Sequence, residues 1–247
     1  MAQQVVLASE RPDLQERAHE ATYGIWPEYN LHGEVPNDYW GRLDDVFPEF
    51  QFVLWDDETD EILGQGHSIP LAWDGTVDRL PDGFDGLLRD SFVLREAGGE
   101  PSMLSALAIE IPAAAQGRGA SRRMIEAMVG LARLHGFPGA LAPLRPTWKE
   151  RYPLVPIERY AAWTRADGLP FDPWMRTHVR LGGRILRPEP RSLAISGTVA
   201  EWEEWTEMAF PETGDYVFPR GLATVSIDRE ADVGRYWEPN IWMVHDA

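Results

Sequence analysis

The chain contains no cysteine, which excludes disulfide bonds, thiolate metal sites and a cysteine nucleophile. No apolar run approaches the roughly 20 residues that span a bilayer, and the N-terminus lacks the basic-then-apolar pattern of a secretory signal. A cytoplasmic protein is therefore expected. Positive charge is scarce: 23 Lys and Arg stand against 40 Asp and Glu, a net charge of −17. Such a surface repels a nucleic-acid backbone and an anionic membrane, so neither is expected as a partner, and it suits a cationic or neutral small substrate. The histidines, His19, His32, His67, His135, His178 and His245, show no ligand spacing with one another or with carboxylates. No metal site is expected.

At 247 residues, 44% hydrophobic and 26% charged, the chain suits one domain over 1–247, a single core with elaborations. Its clearest signal is local. Met103 to Ile111 is an apolar run expected as a central strand, and it leads into the glycine turn Gln116-Gly117-Arg118-Gly119-Ala120-Ser121. A helix follows, with Ile125, Met128, Val129, Leu131, Ala132 and Leu134 on one stripe and Gly136 at its end. Strand, glycine turn and helix in that order bind anions, because the first N–H groups of the helix have no intrahelical acceptor and the macrodipole adds positive charge there. Arg122 and Arg123 support the reading: cations in a first helical turn oppose the dipole unless an anionic ligand compensates. The nucleotide-binding motifs G-x-x-x-x-G-K-[ST] and G-x-G-x-x-G are both unmet.

Around this unit the sequence predicts a strand at Gln4–Ala8, a helix from Pro12, and an antiparallel hairpin of Gln51–Trp55 and Ile62–Ile69 about the acidic turn DDETDE. Gly139–Leu144 reads as a strand. Asp172 and Pro173 open a short helix stopped by Gly182-Gly183, and Leu193–Ser196, Leu222–Ile227 and Ile241–His245 are candidate strands. Residues 26–47 have no clean period. Residues 73–101 and 145–171 read as insertions, the first with a possible short helix over LLRDSFVLREAGG ending at Gly98, and 197–247 as a C-terminal extension. The expected fold class is α+β, with a mixed sheet.

The order of elements, with Q-x-x-G-x-[small] at the junction of strand and helix, resembles the GNAT family of acyl-CoA N-acyltransferases. Ser121 stands where that pattern usually has Gly or Ala. The resemblance implies a mostly antiparallel central sheet flanked by helices, acetyl-CoA or another acyl-CoA as co-substrate without a metal, and a small-molecule amine as acceptor. Gln116, Gly117, Arg118, Gly119, Ala120, Ser121 and Arg122 would hold the coenzyme A pyrophosphate. The backbone at Ile109 and Ile111 would pair with the pantetheine arm and stabilise the oxyanion.

Two side chains are candidates for proton transfer. Glu110 is the polar exception in ALAIEI and could act as general base, directly or through water. His178 stands four residues before Gly182, where the family usually carries a tyrosine that protonates the departing thiolate, and histidine could donate that proton. Tyr152 and Tyr160 are rival donors. The aromatics Trp148, Tyr152, Tyr160, Trp163 and Trp174 could wall an acceptor pocket by cation–π contact, or form core under a long loop. Two other readings stay open, an acyl-CoA-binding protein without catalysis and a homodimer using its tryptophans at an interface.

Overall fold

The computed structural model describes residues 3–247. Among these, one sheet contains β1 (Gln3–Leu7), β2 (Gln51–Asp56), β3 (Glu61–Leu71), β4 (Met103–Glu110), β5 (Gly139–Leu144), β6 (Arg184–Gly197), β7 (Gly214–Tyr216), β8 (Val225–Asp228) and β9 (Val233–Asp246). The helices are α1 (Pro12–Thr22), α2 (Glu34–Tyr39), α3 (Leu43–Val46), α4 (Gly83–Glu96), α5 (Ala120–Leu134), α6 (Ile157–Ala161), α7 (Pro173–Arg180) and α8 (Val199–Thr206). The α+β class with a mixed, mostly antiparallel sheet holds: β4 and β5 are the parallel neighbours, and the other pairings run antiparallel.

Local chemistry sets the boundaries. Between β2 and β3, Asp56 accepts from the backbone N–H groups of Glu58 and Thr59, and Asp60 takes the left-handed conformation that closes the turn. Asp172 caps α7 by accepting from Trp174 and Met175 N–H, Pro173 occupies the first turn, and Gly182, at φ +87, ends it. Thr198 and Glu201 form a capping box at α8, in the acidic stretch WEEWTEM that sequence periodicity leaves unassigned.

The sheet opens between β4 and β5. They share only the pairs Leu104 with Ala140 and Ser105 with Leu141. Just beyond, Leu107 is bulged against β3, lying between the pairs Ala106 with Ser68 and Ala108 with His67, and a bulge bends its strand. Pro143 follows the last shared pair, at an edge where its missing N–H costs no bond to β4.

Two segments outside the glycine-turn unit contribute to the cores. Within residues 73–101, Leu87, Leu88 and Phe92 of α4 are buried in the main core with Phe52, Leu104, Met124 and Leu141. The helix begins at Gly83, ahead of the apolar stretch that marks it. A Cβ there would stand 2.3 Å from Ser192 Cα, so glycine lets α4 seat against β6. Residues 197–247 supply the strand that joins the halves of the sheet. In β9, Met243 faces Ala142 of β5 on one edge and Ile185 of β6 on the other, while Arg235 faces Ser226 of β8 and Ser196 of β6. Trp202, Phe210, Phe218 and Tyr236 of this region bury a second core around Tyr29.

Candidate active site

A cavity of about 820 Å³ occupies the gap between the diverging ends of β4 and β5. Residues 106–111 line one side and residues 142–145 the other, with the loop and first turn of α5 contributing Gln116, Gly117 and Ser121. Trp26, Trp40, Phe84 and Trp174 supply its aromatic surface. Beyond Ser105, the backbone groups of β4 that face β5 have no strand partner. An extended ligand can hydrogen-bond along that edge.

Gly117 and Gly119 have φ of +75 and +83, and a Cβ on either would meet nothing within 4 Å, so conformation rather than clearance requires glycine. Gly119 precedes α5, where no side chain caps the N-terminus and no acidic residue lies in the first turn. Those N–H groups face the cavity loop uncompensated. The arginines are otherwise engaged. Arg118 pairs with Glu61 at 2.8 Å, Arg122 with Glu126 at 2.7 Å, and Arg123 donates to the Gln3 carbonyl at 3.1 Å. Arg122 and Arg123 thus need no ligand to explain them, and the anion-binding character rests on the uncapped backbone. Ala120 packs into the main core, while Ile109 and Ile111 line the cavity.

Glu110 lines the cavity and is only 5% exposed. One carboxylate oxygen accepts from the Trp26 indole N–H and the other from the Gln65 amide, which also donates to Thr22 Oγ1 at 2.6 Å. Both partners of Glu110 are neutral donors, so its charge has no counter-ion among the described residues. A buried carboxylate of this kind favours a cationic ligand.

His178 also lines the cavity and is buried. Its Nδ1 lies 2.9 Å from His245 Nε2, and its Nε2 has no protein partner. The Leu181 carbonyl accepts from the His245 ring, which assigns the His245 proton to Nδ1 and leaves its Nε2 as acceptor. The His178 proton is thereby assigned to Nδ1, and its Nε2 presents a lone pair. Burial, reinforced by the charge His245 can carry, pushes His178 down to about 3. The proton-donor role implied by the resemblance needs a proton on Nε2; the ring is instead placed to accept a hydrogen bond. The rival tyrosines lie elsewhere, with Tyr160 donating to Asp172 at 2.8 Å. Tyr152, Tyr160, Trp163 and Trp148 pack together around Phe171 as satellite core, and only Trp174 of that group reaches the cavity.

Beside β5, Glu238 is 1% exposed and neutralised by Arg145, whose Nε lies 2.6 Å from Oε1. Asn30 donates to the same oxygen at 3.1 Å and Tyr236 to Oε2 at 3.1 Å, with the Tyr29 hydroxyl 3.3 Å from Oε2. Arg145 Nη2 also reaches the Tyr29 hydroxyl and the Arg220 carbonyl, each at 3.0 Å. Sequence reasoning passed over Arg145, Arg220, Glu238, Trp26 and Trp40. The one available signal was Glu238, the lone carboxylate amid the apolar residues of YWEPNIWMV. Among the described residues no cluster of His, Asp or Glu is placed to hold a metal ion, and no helix is long and apolar enough to cross a membrane.

No family model matches the sequence. An arginine N-acetyltransferase from Aspergillus versicolor, avaD, is 30% identical over an alignment of 268 positions that covers 96% of this chain and 92% of that one. The chain belongs to the GNAT family of acyl-CoA N-acyltransferases. Solved structures agree on the fold. The loading GNATL domain of CurA from Lyngbya majuscula superposes with a TM-score of 0.59 at 18% identity, covering 100% of this chain and 98% of that domain. The GphF GNAT-like decarboxylase, solved with isobutyryl-CoA, gives 0.55 at 16% identity, covering 100% and 99%. The protein is accordingly an acyl-CoA-dependent N-acyltransferase with acyl-CoA as its co-substrate.

Proposed function

We propose that this enzyme, working in the cytoplasm, moves an acetyl or other short acyl group from acyl-CoA to a nitrogen of a small amine held in the same cavity. The observation that carries the reading is Glu110, a buried carboxylate without counter-ion in the gap between β4 and β5. The residues present fit the co-substrate: the uncapped start of α5, with Gly117 and Gly119, suits the pyrophosphate, and the open edge of β4 at Ile109 and Ile111 suits the pantetheine arm. When bound, acyl-CoA supplies an activated acyl carbon.

The chain's own groups do the rest. Glu110, held by Trp26 and Gln65, attracts the ammonium and takes its proton, leaving a nucleophilic amine. A backbone N–H at the end of β4 would donate to the acyl oxygen as charge develops on it. As the C–N bond forms the thioester C–S bond breaks, and coenzyme A would leave as the thiol, its sulfur taking the proton that the acylated nitrogen sheds. His178 Nε2 accepts an N–H and orients the donor that offers it. Trp26, Trp40 and Trp174 exclude water and favour a cationic acceptor over a neutral one. Confining both reactants in one groove replaces an encounter in solution.

The similarity to an arginine N-acetyltransferase makes arginine the first acceptor to test. Thiol release from acetyl-CoA is expected with arginine or another small amine and is expected to fall by on the order of 10²–10⁴-fold in Glu110→Gln. A folded protein that binds coenzyme A but acylates no amine would contradict the proposal.

A further inference from the structure

Ile25 and Trp26 are adjacent in sequence and hold opposite charges. The Ile25 carbonyl accepts from Arg220 Nη2 at 2.6 Å, and the Trp26 indole donates to Glu110. All four residues line the cavity. The loop that carries 25 and 26 therefore bridges the carboxylate at the end of β4 and a guanidinium beside the end of β5.

Neither charge has an ionic partner among the described residues, although Arg220 is exposed to solvent and Glu110 is buried. Glu110 has only neutral donors. Arg145 and Glu238 cancel each other, but Arg220 donates to a carbonyl and has no acidic partner among the described residues. Its backbone is held at φ +62, and its own carbonyl receives Tyr29 and Arg145, so the side chain springs from a fixed point. Arg145 adds an Nη1 that no protein group among the described residues accepts from, on the same side of the cavity. A guanidinium and a carboxylate, neither of them in an ion pair, thus line the same cavity. A bare amine would satisfy the carboxylate and be repelled by the guanidinium; a bare carboxylate would do the reverse.

We propose that the acceptor is an amino-acid zwitterion, its ammonium on Glu110 and its carboxylate on Arg220, with Arg145 Nη1 in support. The assignment rests on the acyl-transfer reading above and names the substrate class for that site. It makes Arg220 a specificity-determining residue.

The test compares arginine with agmatine, which lacks only the carboxylate, and lysine with cadaverine, using thiol release from acetyl-CoA by the wild type, Arg220→Gln and Arg220→Lys. The wild type is expected to favour the amino acid in kcat/KM by about tenfold or more, mostly through KM, as one charge-assisted hydrogen bond provides. Arg220→Gln should lose that preference, with kcat/KM for arginine and lysine falling relative to that for agmatine and cadaverine, and Arg220→Lys should restore part of it. Equal use of acid and diamine by the wild type, or equal loss of both in Arg220→Gln, overturns the zwitterion and leaves acyl transfer standing. Acylation of no amine, in protein whose melting temperature still rises with coenzyme A, overturns both.

Discussion

His178 Nδ1 lies 2.9 Å from His245 Nε2 in the wall of the cavity, and the pair stays neutral because burial pushes both rings below the usual histidine range. Below about pH 6.5 the unfolded chain takes up protons that the folded chain refuses, so stability falls as pH drops toward the folded value of about 3.

His178 alone contributes about 2 kcal/mol to that fall by about pH 5. His178→Gln is expected to flatten the loss of melting temperature between about pH 7.5 and about pH 5. Thermal denaturation at the two pH values checks this. An unchanged slope would show that the ring is not buried neutral.

Replacing Glu110 with Gln keeps the shape but removes the charge and the proton acceptor, and it leaves one of the two donors, Trp26 or Gln65, facing an amide N–H. Turnover should fall by on the order of 10²–10⁴-fold. The rise in melting temperature on adding coenzyme A should persist, because Glu110 lies outside the loop of α5.

Two glycines of one helix should respond in opposite directions. Gly119→Ala forces alanine to φ +83 at the start of α5, at a cost of about 1–2 kcal/mol, and should weaken coenzyme A binding in calorimetry by roughly tenfold. Gly130→Ala lies inside the helix, where an added Cβ meets nothing within 4 Å. It should raise the melting temperature by about 2–4 °C with activity unchanged.

Burial raises Asp85, in the first turn of α4, to about 6, although one oxygen accepts from Ala194 N–H at 2.8 Å. The carboxylate therefore costs stability that is absent below about pH 4 and fully felt above about pH 6. Asp85→Asn preserves the acceptor for Ala194 and removes the charge. Its melting temperature should exceed the wild-type value at about pH 7.5 and match it at about pH 4.

The parts of the molecule legible in the sequence were those written in local code. The strand to Ile111, the turn at Gly117 and Gly119, the stripe of α5 and the cap at Asp172 each show within a dozen residues. The acceptor side was hidden because its members come from four distant stretches: Trp26, Arg145, Arg220 and Glu238 meet only through β5, β9 and the loops beside them. A short helix over LLRDSFVLREAGG was legible, but its burial was not, because Leu87, Leu88 and Phe92 pack on residues of β2, β4, α5 and β5 far away in sequence. In β9, Glu238, Pro239 and Asn240 break the apolar pattern; Pro239 fits because it lies opposite the irregular stretch of β6 between Glu189 and Leu193, where the ladder is interrupted. Arg122 and Arg123 looked like evidence for a ligand, although Glu126, four residues after Arg122 on the same helix, could be read as its partner; the Gln3 carbonyl that holds Arg123 is 120 residues away and could not.

The position of β9 also sets an order of events during synthesis. β5 is complete at Leu144, yet its full-length partner ends at Asp246, about a hundred residues later. At roughly 5–20 residues per second, β5 waits on the order of 5–20 seconds with an apolar edge open to other chains. The nascent protein is most prone to aggregate in that interval, and slower elongation between residues 145 and 246 should lengthen it.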